Sequence, residues 1–196
     1  MTGQAVPPGH IVETVTSLEM FACPEPARHL PALPAGCRIE RVVRPTVAFY
    51  RFLYGTVGEP WLWGGRRRWT DAALAEWVQD DRTELWLLGV DGQPGGFAEL
   101  DRRRPDDVEL SYFGLLPDFI GRRLGPLLLR TAVHRAWAAR PRRVWVHTCD
   151  LDHPAALALY RREGFVPFRT HAEVVPDPRA TGHIPPHVQP HRPIVT

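Results

Sequence analysis

The stretch that decides the fold reads Leu-Leu-Pro-Asp-Phe-Ile-Gly-Arg-Arg-Leu-Gly and occupies residues 115–125. It joins a predicted strand, 107–116, to a helix predicted over 121–140, in which apolar residues recur at helical spacing. A glycine-containing turn before a helix leaves backbone N–H groups unpaired at the positive end of the helix dipole. Such a turn is suited to an anionic ligand, and a pyrophosphate would fit there.

Four residues of this stretch suit a phosphate ligand. Gly121 and Gly125 let the backbone approach the ligand closely, and Arg122 and Arg123 add charge-assisted contacts. The lysine followed by serine or threonine that ends a P-loop is missing, which argues against nucleoside triphosphate hydrolysis. An ordinary turn before a helix is the alternative at this point.

A second informative segment, residues 152–165, reads Asp-His-Pro-Ala-Ala-Leu-Ala-Leu-Tyr-Arg-Arg-Glu-Gly-Phe. It predicts a short helix over 153–162, which Gly164 ends. A buried strand is predicted between the two segments, over 144–148. The two segments together are far more specific than either alone.

In this order, with a strand between them, the two segments resemble the acetyl-coenzyme A signature of the GCN5-related N-acetyltransferase (GNAT) superfamily. The resemblance covers residues 37–168. The family pattern is arginine or glutamine, two residues, glycine, one residue, then glycine or alanine. Those places hold Ile120, Arg123 and Gly125. Only the last is kept, although the neighbouring Gly121 and Arg122 agree with a form common in the family.

The second segment carries the rest of the resemblance. His153 replaces the asparagine with which the family's helix often begins. Family residues are matched at Ala156, Tyr160, Gly164 and Phe165. The resemblance therefore implies acetyl-coenzyme A as the acyl donor. The expected donor-binding residues are Leu115, Leu116, Gly121, Arg122, Arg123, Leu124, Gly125, Pro126, His153 and Ala156.

The remaining elements fit one α/β (α+β) domain of this architecture. The resemblance implies a mixed, mostly antiparallel central sheet that is flanked by helices and splayed between its two central strands. Residues 1–36 are predicted as an N-terminal strand, 11–21, and a proline-rich arm, and residues 37–175 as the GNAT-like domain. The proline- and histidine-rich tail, 176–196, is expected to be flexible and poorly ordered.

Composition argues against a nucleic-acid-binding, disulfide-rich or membrane protein. The 196 residues include 24 basic and 22 acidic ones, and this near balance gives no overall field that would favour nucleic acid. The three cysteines form no CxxC pair, and no apolar run is long enough to span a membrane. The N-terminus lacks a signal-peptide pattern, so we expect a cytoplasmic protein without membrane or nucleic-acid partners.

The sequence predicts no metal site. Histidines recur every four residues in the tail, at His183, His187 and His191. The prolines between them forbid a helix that would bring the three imidazoles together. An acetyl transfer from an activated thioester also needs neither a metal nor a covalent nucleophile.

Three residues are candidates for proton transfer. Tyr160 occupies the place of the family's phenolic acid and is the predicted proton donor to the leaving thiolate, with a half-buried core role as the alternative. Glu109 and Glu99 lie among apolar residues of the central strands, where burial would raise a carboxylate pKa, and are the candidate bases. Either glutamate could instead face solvent or pair with an arginine of residues 102–104.

Alternation along the strand 107–116 predicts which side chains share a face with Glu109. The face of Glu109 is predicted to carry Ser111, Phe113 and Leu115, and the opposite face Val108, Leu110 and Tyr112. If the first face lines the cleft, Glu109 and Ser111 both reach it. His147 and His153 are further candidates for acid–base work, although a lone histidine is more often structural.

The acceptor is expected to bind near the segment 59–69, which shapes the acceptor pocket in this superfamily. Trp61 and Trp63 could form an apolar wall, and Glu59 could attract an amine. The tryptophans could equally pack on the core. The expected partners are a small-molecule or peptide amine, and a homodimer is left open.

The leading hypothesis is an N-acetyltransferase that moves an acetyl group from acetyl-coenzyme A to an amine by direct attack in a ternary complex. The alternative is a catalytically idle relative that binds coenzyme A as a sensor or interaction module. The departures from the family pattern at Ile120 and Arg123 allow this alternative. The acceptor cannot be named from the sequence, because one fold hosts many acceptors.

Overall fold

A computed structural model of the chain describes residues 5–24, 32–104 and 106–196. The elements predicted from the sequence occur in the predicted order. The helices and strands of the described ranges are β1 (His10–Met20), β2 (Cys37–Val42), α1 (Val47–Gly58), α2 (Asp71–Val78), β3 (Thr83–Val90), β4 (Gln93–Asp101), β5 (Asp107–Leu115), α3 (Leu124–Trp137), β6 (Arg143–Cys149), α4 (Ala156–Arg162) and β7 (Val166–Pro176).

The seven strands of the described ranges form one mixed sheet in the order β2-β3-β4-β5-β6-β1-β7. β5 and β6 pair in parallel, and every other neighbouring pair is antiparallel. β1, the first strand of the chain, thus lies between the last two. The predicted fold class, a mostly antiparallel sheet flanked by helices, is confirmed.

The helices bury their apolar stripes on the sheet. α1 and α2 begin at threonine N-caps, and the hydroxyl oxygens of Thr46 and Thr70 accept hydrogen bonds from backbone N–H groups three residues on. The two helices pack on β3, β4 and β5, while α3 packs on β4, β5 and β6 through Leu128 and Leu129, which are fully buried. Each such leucine contributes about 1.5–3 kcal/mol to folding. None of the helices in the described part of the chain is long and apolar enough to cross a membrane.

The sheet opens between β5 and β6, as the resemblance implied. The two strands pair only from Asp107 to Leu110 on β5 and from Arg143 to Val146 on β6. Beyond these residues β5 stays with β4, whereas β6 stays with β1. The opening lies next to the segment 115–125.

A bulge in β5 corrects the predicted alternation. Glu99 pairs with Tyr112, but its neighbour Leu100 pairs with Leu110, so Ser111 is an extra residue. Since Glu99 and Leu100 face opposite sides of the sheet, so do Tyr112 and Leu110. The prediction that these two residues share a face is therefore wrong, because strict alternation fails at a bulge.

The tail after Pro176, which the sequence predicted to be flexible, makes contacts with the domain. The carboxylate of Asp177 pairs with the guanidinium of Arg179 at 2.7 Å, and both side chains are buried. Arg179 also donates hydrogen bonds to three carbonyl groups further along the tail, those of Val188, Gln189 and Arg192. Ile184 of the tail is buried in a small apolar cluster, together with Ile11, Leu62 and Leu151. The prolines of the tail therefore lie in a segment that is held by hydrogen bonds from Arg179 and by apolar contacts.

Candidate functional site

A cavity of about 630 Å³ lies where β5 and β6 part. Its walls come from α1, β1, β5, β6, the turn before α3, the start and inner side of α4, the segment 61–65, and the end of β7 with Pro178. Leu110 and Val146, the last residues of the β5–β6 pairing, are both part of the wall. The cavity therefore occupies the gap that the splayed sheet creates.

Backbone groups of β5 face this gap. The N–H of Leu116 donates to the carbonyl oxygen of Gly95 at 3.0 Å, which sets the alternation of bonds to β4. Gly114 and Tyr112 accordingly bond to β4, whereas Phe113 and Leu115 direct their N–H and C=O groups towards the gap. In the described chain no strand faces these groups there, so they can bind a ligand.

The turn before α3 supplies further free N–H groups. The helix begins at Leu124, later than predicted, because Gly121 and Arg123 adopt left-handed conformations with φ of 83° and 61°. No side chain caps this helix end, and nothing lies within 4 Å of the position that a Cβ atom on Gly121 would take. The first turn of α3 thus presents open backbone donors and a positive dipole end to the cavity.

Most predicted donor-binding residues lie together. Seven of them line the cavity, namely Leu115, Gly121, Arg123, Gly125, Pro126, His153 and Ala156. The other three do not: Leu116 and Leu124 are buried in the core, and the Arg122 guanidinium lies 5.0 Å from the centre of the Phe119 ring. The departure at Ile120 also lies in the wall of the cavity, where it is partly exposed.

Tyr160 lines the cavity from α4. Its side chain is 5% exposed and packs edge-on against Phe113 and Phe165. Burial, together with the negative charge of Asp152, raises the pKa of Tyr160 well above its ordinary value. The phenol therefore keeps its proton at neutral pH until a stronger base appears beside it.

Glu109 is not part of the cavity wall, but it contacts a residue that forms it. His147 lines the cavity, and its Nδ1 atom lies 3.4 Å from a carboxylate oxygen of Glu109. The interaction with Glu109 raises the pKa of His147 from its ordinary value, against the opposing effect of burial. The arrangement is that of an imidazole in the site with a carboxylate that orients it.

Glu99 lies away from the cavity, in a closed network. Its carboxylate is fully buried and accepts hydrogen bonds from the Tyr50 hydroxyl, the Trp77 indole at 3.0 Å and Arg66 at 3.2 Å. The Arg66 guanidinium is in turn stacked 4.0 Å from the centre of the Trp69 ring. The arginine that pairs with Glu99 therefore comes from the tryptophan-rich segment, not from residues 102–104. Glu99 is fully buried among these partners and is not part of the cavity wall, so the geometry does not favour its predicted role as a base.

The tryptophan-rich segment divides between the cavity and the core. Trp61 and Trp63 line the cavity, and the Trp63 indole also donates to Asp152 at 3.0 Å. Trp69 packs against Trp77 instead. Glu59 is outside the cavity and lies 3.8 Å from a guanidinium nitrogen of Arg67 in a partly exposed ion pair. Two of the three residues predicted to bind the acceptor, Trp61 and Trp63, thus line the same cavity.

Sequence reasoning missed Glu13, which reaches the cavity from β1. It lies between Ile11 and Val15 on the strand face that meets Cys149 and His147 of β6. Burial raises the pKa of Glu13, while a hydrogen bond from Cys149 opposes the rise. The sequence does show one acidic residue between two apolar ones at strand spacing, which could have indicated a polar group on a buried face. It does not show that β1 lies beside β6, and only this strand order places Glu13 in the cavity.

Comparison with known proteins gives a family. A family model described as the acetyltransferase (GNAT) family matches residues 47–165. The mycothiol acetyltransferase of Acidothermus cellulolyticus is 33% identical over 103 residues, which are 53% of this chain and 27% of that protein. The chain thus spans only about a quarter of that relative's length.

Solved structures share the fold. A GCN5-related N-acetyltransferase from Kribbella flavida has a TM-score of 0.57 at 21% identity, covering 87% of this chain and 60% of that one. Another from Sphaerobacter thermophilus has a TM-score of 0.63 at 19% identity, covering 85% and 53%. An IAA acetyltransferase from Bacillus cereus has a TM-score of 0.53 at 26% identity, covering 68% and 79%.

Proposed function

The chain belongs to the acetyltransferase (GNAT) family, and on that premise we propose that it transfers an acetyl group from acetyl-coenzyme A to an amine by direct attack in a ternary complex. One observation carries the proposal: a single cavity is lined both by the turn before α3 and by the tryptophans of the segment 61–65. Two ligands held by these walls would meet in the gap of the sheet, next to Tyr160. An enzyme that works in a ternary complex needs such a meeting place.

The residues on the donor side fit acetyl-coenzyme A. The open N–H groups of the first turn of α3, with Arg123 beside them, suit the pyrophosphate. Gly121 leaves room for the ligand because no neighbour lies within 4 Å of its Cβ position. The free N–H groups of Phe113 and Leu115 suit the pantetheine amides and the thioester oxygen.

Tyr160 is proposed as the general acid. When the amine nitrogen bonds to the acetyl carbon, the carbon–sulfur bond breaks, and Tyr160 gives its proton to the departing sulfur. Its raised pKa ensures that the proton is present at neutral pH. The nitrogen, now bonded to the acetyl carbon, releases its remaining extra proton to solvent to give the neutral amide, and the phenol regains a proton from solvent, so the protons balance.

His147 is proposed as the group that takes a proton from the amine. A primary amine is mostly protonated at neutral pH, so a base must free its lone pair before attack. His147 lines the cavity, and Glu109 holds its imidazole from behind. Glu109, which the sequence suggested as the base itself, becomes the residue that orients the base.

Glu13 is proposed to hold the ammonium form of the acceptor as it arrives. Its carboxylate is partly buried in the same cavity as Trp61 and Trp63, which supply an apolar wall. Burial raises the pKa of Glu13, and an ammonium group beside its carboxylate would favour the charged form of both groups. These features support a small-molecule or peptide amine as the acceptor.

The second candidate is a coenzyme A-binding module without turnover, which the departures at Ile120 and Arg123 favour. Calorimetric titration with acetyl-coenzyme A, followed by thiol release from a panel of primary amines, separates the two. We expect binding and amine-dependent thiol release. Binding without release for every amine would favour the module, and no binding at millimolar acetyl-coenzyme A would refute both.

A further inference from the structure

β7 forms an edge of the sheet, and no strand of the described chain covers its outer side. The strand is eleven residues long, and most of its side chains are exposed. A long open edge presents unpaired N–H and C=O groups to any other strand that can reach it. Such an edge is an interaction surface unless the sequence protects it.

The middle of this edge contains neither proline nor a bulge. Natural edge strands are blunted by proline, charged side chains or bulges. Residues 169–175, which read Arg-Thr-His-Ala-Glu-Val-Val, lack proline, and their charged side chains, Arg169 and Glu173, are of opposite sign. Pro167 and Pro176 lie at the two ends of this window, and the one irregularity in the β1–β7 register lies beside Pro167. The window between the prolines is therefore free to pair.

The outward-facing backbone groups of the window can be identified. The N–H of Asp177 donates to the carbonyl oxygen of Gly9 at 2.9 Å, in register with the β1–β7 ladder. Bonds to β1 therefore come from odd-numbered residues of β7, such as His171 and Glu173. Thr170 and Ala172 direct their N–H and C=O groups away from the sheet.

We propose that β7 pairs with β7 of a second copy of this chain, antiparallel about a two-fold axis at His171. This register sets Thr170 opposite Ala172, and both residues have outward-facing backbone groups. It also sets Arg169 opposite Glu173 on both sides of the axis, so that each copy meets the other with complementary charges. An axis at Ala172 would set Arg169 opposite Val175 and lose this pairing, although it would set His171 opposite Glu173, two residues that already contact each other within one copy.

The oligomeric state of the full chain tests the proposal, by sedimentation equilibrium over about a hundredfold range of concentration. We expect a reversible dimer. Arg169→Glu and Glu173→Arg should each weaken it at least about tenfold, because each sets like charges across the strands. The double variant Arg169→Glu with Glu173→Arg should restore it. A monomer throughout, or a dimer that ignores both single variants, would overturn the proposal.

A backbone variant keeps the test independent of charge. Ala172→Pro removes one outward N–H and no bond to β1, so the fold should persist while dimerisation is lost. Ala172→Ser, which keeps the N–H, is the matched control and should dimerise like the wild type. Thermal melts of both variants check folding. A folded Ala172→Pro protein that still dimerises with wild-type affinity would also refute the pairing.

Discussion

The proposed donor end of the cavity is built mainly from backbone groups of one short stretch, whereas the proposed acceptor end is built from side chains of distant segments. Phe113, Leu115 and the turn before α3 supply N–H groups within about a dozen consecutive positions. The proposed acceptor end combines Glu13 of β1, His147 of β6, the tryptophans of the segment 61–65 and the end of β7. A backbone site tolerates most side-chain changes, while a side-chain site depends on each member.

The largest expected effect lies at the junction of the two ends. Tyr160→Phe removes the proposed acid and keeps the ring that packs on Phe113 and Phe165. We expect kcat to fall by about 10²–10⁴-fold, with the affinity for acetyl-coenzyme A unchanged. Steady-state rates and calorimetry on the same preparation measure both quantities. An unchanged kcat would show that Tyr160 is only part of the core.

Gly125→Glu tests the backbone-built end, where charge should matter more than size. A carboxylate beside the pyrophosphate should weaken acetyl-coenzyme A binding by about 100-fold or more, as measured by calorimetry. The matched control is Gly125→Ala. A Cβ atom there would meet neighbours only at 3.8 Å or beyond, so this variant should bind nearly normally. Equal affinities of the two variants would contradict a phosphate site at this turn.

Glu13→Gln tests the end built from side chains. Loss of the anionic group should raise KM for a cationic amine about tenfold and leave KM for acetyl-coenzyme A unchanged. Glu19→Gln is the control, because Glu19 lies on the same strand but outside the cavity, paired with Arg143 at 3.2 Å. A similar KM for both variants would argue against Glu13 as part of the acceptor site.

The smallest expected effect is a shift of the pH profile. The proposed base works when neutral, so kcat/KM should rise with pH through the pKa of His147, which Glu109 holds above its ordinary value of 6.5. Glu109→Gln should lower this midpoint. The protonated pair stabilises the folded protein below pH 6.5 and ceases to do so as pH rises through the folded-state pKa, so the variant should lose stability mainly at low pH. A pH profile identical to that of the wild type would show that His147 is not the base.

The contrast between the two ends also explains what could be predicted from the sequence. The segment 115–125 encodes its own turn and helix start, so most of the residues predicted to bind the donor line the same cavity. The start of α3 was predicted three residues too early, because Arg123 takes a left-handed conformation. Glycine, asparagine or aspartate at this position would have indicated such a conformation, but arginine does not. The proposed donor side could thus be predicted from a single continuous stretch of sequence.

The acceptor side required knowledge of distant contacts. Glu13 was missed because its role depends on β1 lying beside β6. Glu99 and Glu109 looked alike in sequence, yet the first is enclosed by Tyr50 and Arg66 and the second adjoins the cavity wall. The bulge at Ser111 changes which residues share a face and has no clear signature in the sequence. In all three cases the outcome depends on contacts between segments that are distant in the sequence.

The position of β1 also bears on how the chain is completed during synthesis. Residues of β1 are made well before their strand partners, which are 143–149 and 166–176. The growing chain must therefore carry β1 as an unpaired strand until both partner strands have been made. A chain that stops before β7 would leave one whole side of β1 exposed, which makes late truncation a route to aggregation.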